Sequence, residues 1–372
     1  MSPFALLALL VCLAQPLPEG FETLSARAAA ARAAGRTEEA VGAYRGALAL
    51  RPDWDEGWWY LGALLYESRR CAEANAAFER FLALKPDAGP GWVMRGVCAF
   101  EQRDFASAID WLGKGTGLGL GGNAELQRVA RSRLAFALVT TGQFELAIPS
   151  LTVLARLAPD TPGLVEATGL ALLRLPLLPS EVPADRRDLV ERLGRAGRDH
   201  LARRGAEAAR GYADVVAAYP DEPWVRYAHG VFLLRSGDES GLDELRRAVR
   251  LKPDNVTAHL EIAFELLTRR DYAGARESAT KAVELAPTLF AGHNALGRAL
   301  VELGELEAGI RELEEAKRLA PESYETHFAL ARAYARAGRD ADAARERALF
   351  TELEERQRAS PDRAAGTEPP RP

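Results

Sequence analysis

The chain has 372 residues, 48% hydrophobic and 27% charged, with a formal net charge of −5. That mixture is foldable and not of the disordered class. The acidic balance argues against a nucleic-acid or anionic-membrane binder, which needs a basic face. Only Lys85, Lys114, Lys252, Lys281 and Lys317 are lysines among 48 basic residues. With Leu and Ala also abundant, this looks like a GC-rich, bacterial coding bias, so arginine content alone carries little chemistry.

An apolar run from Phe4 to Ala14 opens the chain. It falls short of the about 20 residues that span a bilayer. It suits the apolar core of a secretory signal, with Cys12-Leu13-Ala14 at the cleavage site. Residues 1–20 are therefore expected to be a signal peptide, and the mature protein periplasmic or secreted. No Lys or Arg precedes the run, so a first apolar helix or a misplaced start codon, with a cytoplasmic protein, is the alternative. Leu9-Leu10-Val11-Cys12 approaches a lipoprotein signal, but Val11 stands where a small residue is wanted.

Prolines then set a ruler. Pro52 and Pro86 are 34 residues apart, as are Pro253, Pro287 and Pro321; Pro220 precedes Pro253 by 33. Each follows an apolar stretch and marks a helix end at fixed phase. Within one period, Trp58, Leu61, Gly62 and Leu65 make the stripe of a first helix. After a break at Ser68-Arg69-Arg70, Ala74, Phe78 and Phe81 make the stripe of a second. Such a hairpin cannot bury both its faces alone and needs its neighbours. The same signature recurs as Leu296, Gly297, Leu300, Gly304, Ala316 and Pro321. It returns with Leu330, Ala331, Tyr334, Gly338 and Ala343, and with Ile262, Ala263, Leu266, Tyr272, Ala275 and Pro287. A thinner copy opens the series with Leu24, Ala28, Gly35, Ala40, Tyr44, Ala47 and Pro52.

This W-x-x-L-G…A-x-x-x-F…P pattern resembles the tetratricopeptide repeat. The resemblance covers residues 21–356 and implies an all-α chain, a helical superhelix of about eight or nine hairpins. A disordered tail is expected over residues 357–372.

Two stretches depart from the repeat. The run Gly113-Lys114-Gly115-Thr116 through Gly122 lacks the G-x-x-x-x-G-K-[ST] order of a phosphate loop. It reads as a frayed second helix and a flexible turn, with the next helix capped by Asn123. The second departure is larger. A first helix near residues 162–174 is followed by Pro176, Pro179 and Pro183, then by a charged stretch rich in arginine. The second helix of that hairpin is expected only at Ala206–Tyr219. Residues 175–204 thus read as an insertion carrying an added helix and a local positive patch. It either covers the stack or offers a second binding element to an acidic partner.

Histidines 259, 293 and 327 recur every 34 residues at the Trp-like position. A metal ladder is excluded by spacing. Stacked helices sit about 8–10 Å apart, whereas ligands of one zinc lie about 2 Å from the metal. Packing or hairpin capping is expected instead. Cys71 and Cys98 read as apolar packing residues that could face each other, with a disulfide as the alternative. No nucleophile, metal-protease or dinucleotide motif is present, and no cofactor or catalytic residue is expected.

The resemblance further implies that first helices line a concave trough. Its walls would be Trp59, Tyr66 and Val93, then Leu260, Phe264, Asn294, Arg298, Phe328, Arg332 and Arg336. Ala63, Val97, Val301 and Glu302 complete it. Such a trough suits an extended peptide or helix with apolar anchors and an acidic group. The expected function is a non-enzymatic scaffold binding protein or peptide on that face. A structural envelope subunit using the convex face and the insertion, and a regulatory module of a separately encoded enzyme, are the alternatives.

Overall fold

The computed structural model describes residues 19–359. Of the expected signal segment 1–20 and the expected disordered tail 357–372, residues 1–18 and 360–372 lie outside the described residues, and residues 357–359 belong to the last helix instead. Nineteen α-helices and two short 3-10 turns make up the described part, with no strand among the described residues. The chain divides into two compact units at Leu126 and Gln127.

The first unit holds three hairpins. These are α1 (Phe21–Ala33) with α2 (Thr37–Leu50), α3 (Asp55–Glu67) with α4 (Cys71–Leu84), and α5 (Gly89–Glu101) with α6 (Phe105–Leu118). The small–large pattern explains the pairing. A Cβ on Gly62 would stand 2.7 Å from the Phe78 ring, so the α3 backbone lies directly on a phenylalanine that is wholly buried. Burying such a ring contributes about 1.5–3 kcal/mol.

All three first helices end in one turn. The amides of Arg36, Arg70 and Asp104 reach back to the carbonyls of Ala31, Leu65 and Ala99, at 2.9 Å in each case. The residue before each amide is left-handed: Gly35, Arg69 and Arg103, with φ of 70°, 59° and 61°. Such a turn satisfies carbonyls that the helix end would leave unpaired. Glycine accepts it freely. Arginine takes it at a cost of about 1 kcal/mol or more.

The Gly-rich run differs from its expected fraying. Helix α6 continues through it to Leu118, because a Cβ on Gly115 would meet Val93 Cγ2 at 2.7 Å and the Gly89 carbonyl at 2.8 Å. These glycines permit close helix contact rather than disorder. Asn123 then caps the next helix as expected, its Oδ1 accepting from Leu126 N at 3.0 Å.

The second unit begins inside α7 (Ala124–Thr140), followed by α8 (Phe144–Leu157), α9 (Leu164–Leu172), α10 (Arg187–Leu201) and α11 (Gly205–Ala218). Four hairpins follow: α12 (Pro223–Arg235) with α13 (Gly241–Leu251), α14 (Val256–Thr268) with α15 (Tyr272–Leu285), α16 (Phe290–Glu302) with α17 (Leu306–Leu319), and α18 (Tyr324–Arg336) with α19 (Asp340–Ala359).

The segment read as an insertion resolves into a different pairing. Residues 175–186 cross in two 3-10 turns, and α10 then packs against both α9 and α11. Ala196, left-handed Arg203, Ala208 and Pro220 keep the offsets of Ala263, left-handed Arg270, Ala275 and Pro287. So α10 and α11 form the in-phase hairpin, and α9 is the added helix. Prolines 176, 179 and 183 stop α9 from acquiring a second helix of its own. Helices α9 and α10 touch backbone to backbone: a Cβ on Gly169 would stand 2.0 Å from the Val190 carbonyl, and one on Gly194 2.0 Å from that of Val165.

Four arginines of the expected positive patch are paired with acids within the chain. Arg186 pairs with Glu222 at 3.0 Å, Arg192 with Asp188 at 2.7 Å and Arg198 with Asp199 at 2.8 Å. Arg195 pairs with Glu191, and Arg187 donates to the Val182 carbonyl at 3.2 Å. Among the described residues, no helix is long and apolar enough to cross a membrane.

Candidate binding face

In the first unit, Trp59 is half-buried, its ring 5.6 Å from Phe78 and 5.4 Å from Phe81. Tyr66 is also half-buried, packed on the core around Tyr44 and Phe78. Val93 and Val97 are buried and present no surface to a partner. The close α5–α6 approach that Gly115 permits turns this part of α5 into core. Of the expected wall in this unit, Trp59, Ala63 and Tyr66 retain accessible surface.

In the second unit, Leu260 and Phe264 on α14 are half-buried. Asn294 on α16 is buried, and its Nδ2 donates to Thr326 Oγ1 on α18 at 3.0 Å. It therefore joins two first helices and is not free to grip a ligand. Phe328 on α18 is 47% exposed, an unusual placement for a phenylalanine, with its ring 5.3 Å from Phe350. Arg332 and Arg336 are exposed, and both donate to Glu302, at 3.1 and 3.0 Å.

Arg298 stands apart from these. It occupies on α16 the repeat position that Phe264 has on α14 and Arg332 has on α18. No side-chain hydrogen bond or ion pair holds its guanidinium among the described residues. Burial pushes its pKa below the ordinary arginine value, and the charge of Arg332 pushes the same way, with Glu302 and Glu325 opposing. A cation short of water and beside a second cation is a standing demand for an anion. Phe264 holds the same position one repeat earlier, and Phe328 lies one turn before Arg332 on the next first helix.

A second recurring feature tethers the first helices. The side chain at the Trp-like position of six of them bonds the carbonyl of the proline six residues earlier. Trp58 and Trp92 donate their indole N–H to Pro52 and Pro86 at 2.8 Å. Arg226 Nε donates to Pro220 at 2.8 Å. His259, His293 and His327 place Nε2 at 3.0, 2.9 and 2.8 Å from Pro253, Pro287 and Pro321. The histidine ladder is thus a set of hairpin caps. Among the described residues, no cluster of three or more His, Cys, Asp or Glu could hold a metal. Sequence reasoning saw these prolines as helix stops and missed them as acceptors. It also missed Glu244, Glu312 and Glu346, whose spacing of 18 or 19 residues from Arg226, His293 and His327 was the available signal.

Other titratable groups are packing residues. His200 is pushed down to about 4 by burial, with Arg235 adding to the effect. Its ring lies 5.2 Å from Phe232, so it fills core space as a neutral aromatic. Cys71 and Cys98 are free thiols, half-buried and buried. Burial pushes the Cys98 thiol up to about 12, and the neighbouring Cys71 adds to this.

The model of the tetratricopeptide repeat family matches residues 61–114 and 294–362. No curated protein sequence matches the chain. Among solved structures, MamA (residue 41 to the end) from Desulfovibrio magneticus RS-1 is 24% identical, with a TM-score of 0.41 over 44% of this chain and 92% of that one. A MamA structure from MSR-1 is 26% identical, with a TM-score of 0.38 over 43% of this chain and 92% of that one. These overlaps are partial, and the face is read from this chain's own residues. The matched segments fall on hairpins that keep the proline phase, and over those segments the chain carries tetratricopeptide repeats.

Proposed function

We propose that the second unit binds an extended segment of a partner protein through the surface of α14, α16 and α18. The segment carries an acidic side chain for Arg298 between apolar anchors that pack on Phe264 and Phe328. The observation behind this reading is the unpaired, partly desolvated Arg298 guanidinium, together with a nearly half-exposed phenylalanine, Phe328, on the next first helix. Arg332 and Arg336 share one carboxylate, Glu302, at 3.1 and 3.0 Å. That leaves this edge net positive and ready for a second acid on the ligand. A charge-assisted hydrogen bond to Arg298 is worth about 1.5–3 kcal/mol, or roughly 10- to 100-fold in affinity.

Selection of peptides from a random displayed library on the purified chain tests this. Enrichment of Asp or Glu flanked by Leu or Phe, lost on a Phe264→Ala, Arg298→Ala, Phe328→Ala variant of unchanged helicity, is the expected result. Enrichment of basic peptides, or the same acidic peptides on the variant, would refute it.

A further inference from the structure

Where one hairpin meets the next, the residue that opens a second helix packs near a fixed position late in the following first helix. Tyr272 opens α15 and packs on the core that holds Ala299 of α16. Leu306 opens α17 and packs on the core that holds Ala333 of α18. In both cases the two positions are 27 residues apart. One large side chain and one alanine thus serve each of these joints.

In the first unit the same two positions, again 27 residues apart, are both cysteine. Cys71 opens α4, and Cys98 lies late in α5. Cys71 packs on the cluster in which Cys98 is wholly buried. Two small side chains stand where a large one meets an alanine elsewhere, so a sulfur approaches this joint from each side. The Cys71 thiol is close enough to add to the upward shift that burial imposes on Cys98. Cys71 is half-buried and keeps a path to solvent, and Cys98 has none.

We infer that Cys71 and Cys98 form a reversible disulfide, made by exchange with a small-molecule disulfide, that ties the second hairpin to the third. Exchange begins at Cys71, the thiol that solvent reaches. Its thiolate attacks one sulfur of the small disulfide, and the other sulfur leaves as a thiolate. Cys98 then gives up its proton and attacks the Cys71 sulfur, expelling the second small thiolate. Two protein thiols are oxidised, the small disulfide is reduced to two thiols, and the two protons lost by the cysteines end on those thiols. The second step is slow, because Cys98 must ionise inside an apolar cluster. In a stack each hairpin touches only its neighbours. A bond at this one joint therefore fixes α4 against α5 and leaves the other joints as they were.

This inference stands independently of what the binding face takes. It is tested on the full chain, held in oxidised glutathione, then unfolded in N-ethylmaleimide and digested with trypsin. The expected product is Cys71–Arg80 joined to Gly96–Arg103, a pair that dithiothreitol separates. Glutathione left on Cys71 with Cys98 alkylated, or both cysteines alkylated, would overturn the inference. Urea unfolding read by tryptophan fluorescence, which reports chiefly the first unit, should shift upward by about 1 M or more on oxidation and return on reduction. A cross-link that leaves this midpoint in place would overturn the tie between hairpins. A Cys71→Ser variant should show one midpoint under both conditions, and an equal rise in it also overturns the inference. Should that variant fail to fold, the peptide map of the unaltered protein decides.

Discussion

The two units build the same hairpin from different chemistry. The first holds five of the six tryptophans (Trp54, Trp58, Trp59, Trp92, Trp111) and no histidine; the second holds all five histidines and only Trp224. At the proline-facing position the first unit uses a neutral indole N–H, and the second uses arginine or histidine. Both satisfy the carbonyl equally well. Only Arg226, His293 and His327 also reach a glutamate of the second helix.

This contrast can be broken at several strengths. The largest effect is expected from Gly194→Val, which places a side chain where 2.0 Å separates a Cβ from the Val165 carbonyl. Overpacking of this kind costs about 3 kcal/mol or more, since backbone must move. Urea unfolding followed by tryptophan fluorescence reports almost only the first unit, so that transition should stay in place. Far-ultraviolet circular dichroism should show the second unit unfolding early. A common shift of both signals would mean that the units do not melt separately.

A smaller effect is expected from acid. His200 has a folded pKa near 4, below the ordinary value of about 6.5. The unfolded ring therefore binds a proton first as pH falls. Stability of the second unit is intact above pH 6.5, declines between 6.5 and 4, and is level below that on this account. The loss reaches about 3 kcal/mol. A His200→Phe variant should lessen that slope in chemical denaturation, the remainder coming in part from His229, whose pKa burial also lowers.

Much of the fold was legible in the sequence, and the reasons are local. Prolines at fixed phase stop helices by steric exclusion. A Gly or Ala facing a Leu or Phe is required wherever two axes approach closely, as at Gly62 and Phe78. The pairing of α10 with α11 was not legible, because the added helix read there, rich in arginine, did not show the small–large phase of a first helix. Ala196 and left-handed Arg203 carried the phase, and arginine is not a residue that announces a left-handed turn. The face was legible only in outline. Repeat position nominated Phe328 and Arg332, which are exposed, and Arg298, which is half-buried. It also nominated Val93 and Asn294, which neighbouring helices bury; burial depends on which glycine or threonine happens to sit opposite.

The claim that carries the rest is that Arg298 recognises an acidic group between apolar anchors. A charge-swap cycle tests it most directly: Arg298→Glu against the selected acidic peptide, then against the same peptide with its acid replaced by lysine. The account predicts that Arg298→Glu loses roughly 10- to 100-fold in affinity for the acidic peptide and recovers most of it with the lysine peptide. Undiminished binding of the acidic peptide to Arg298→Glu would contradict it.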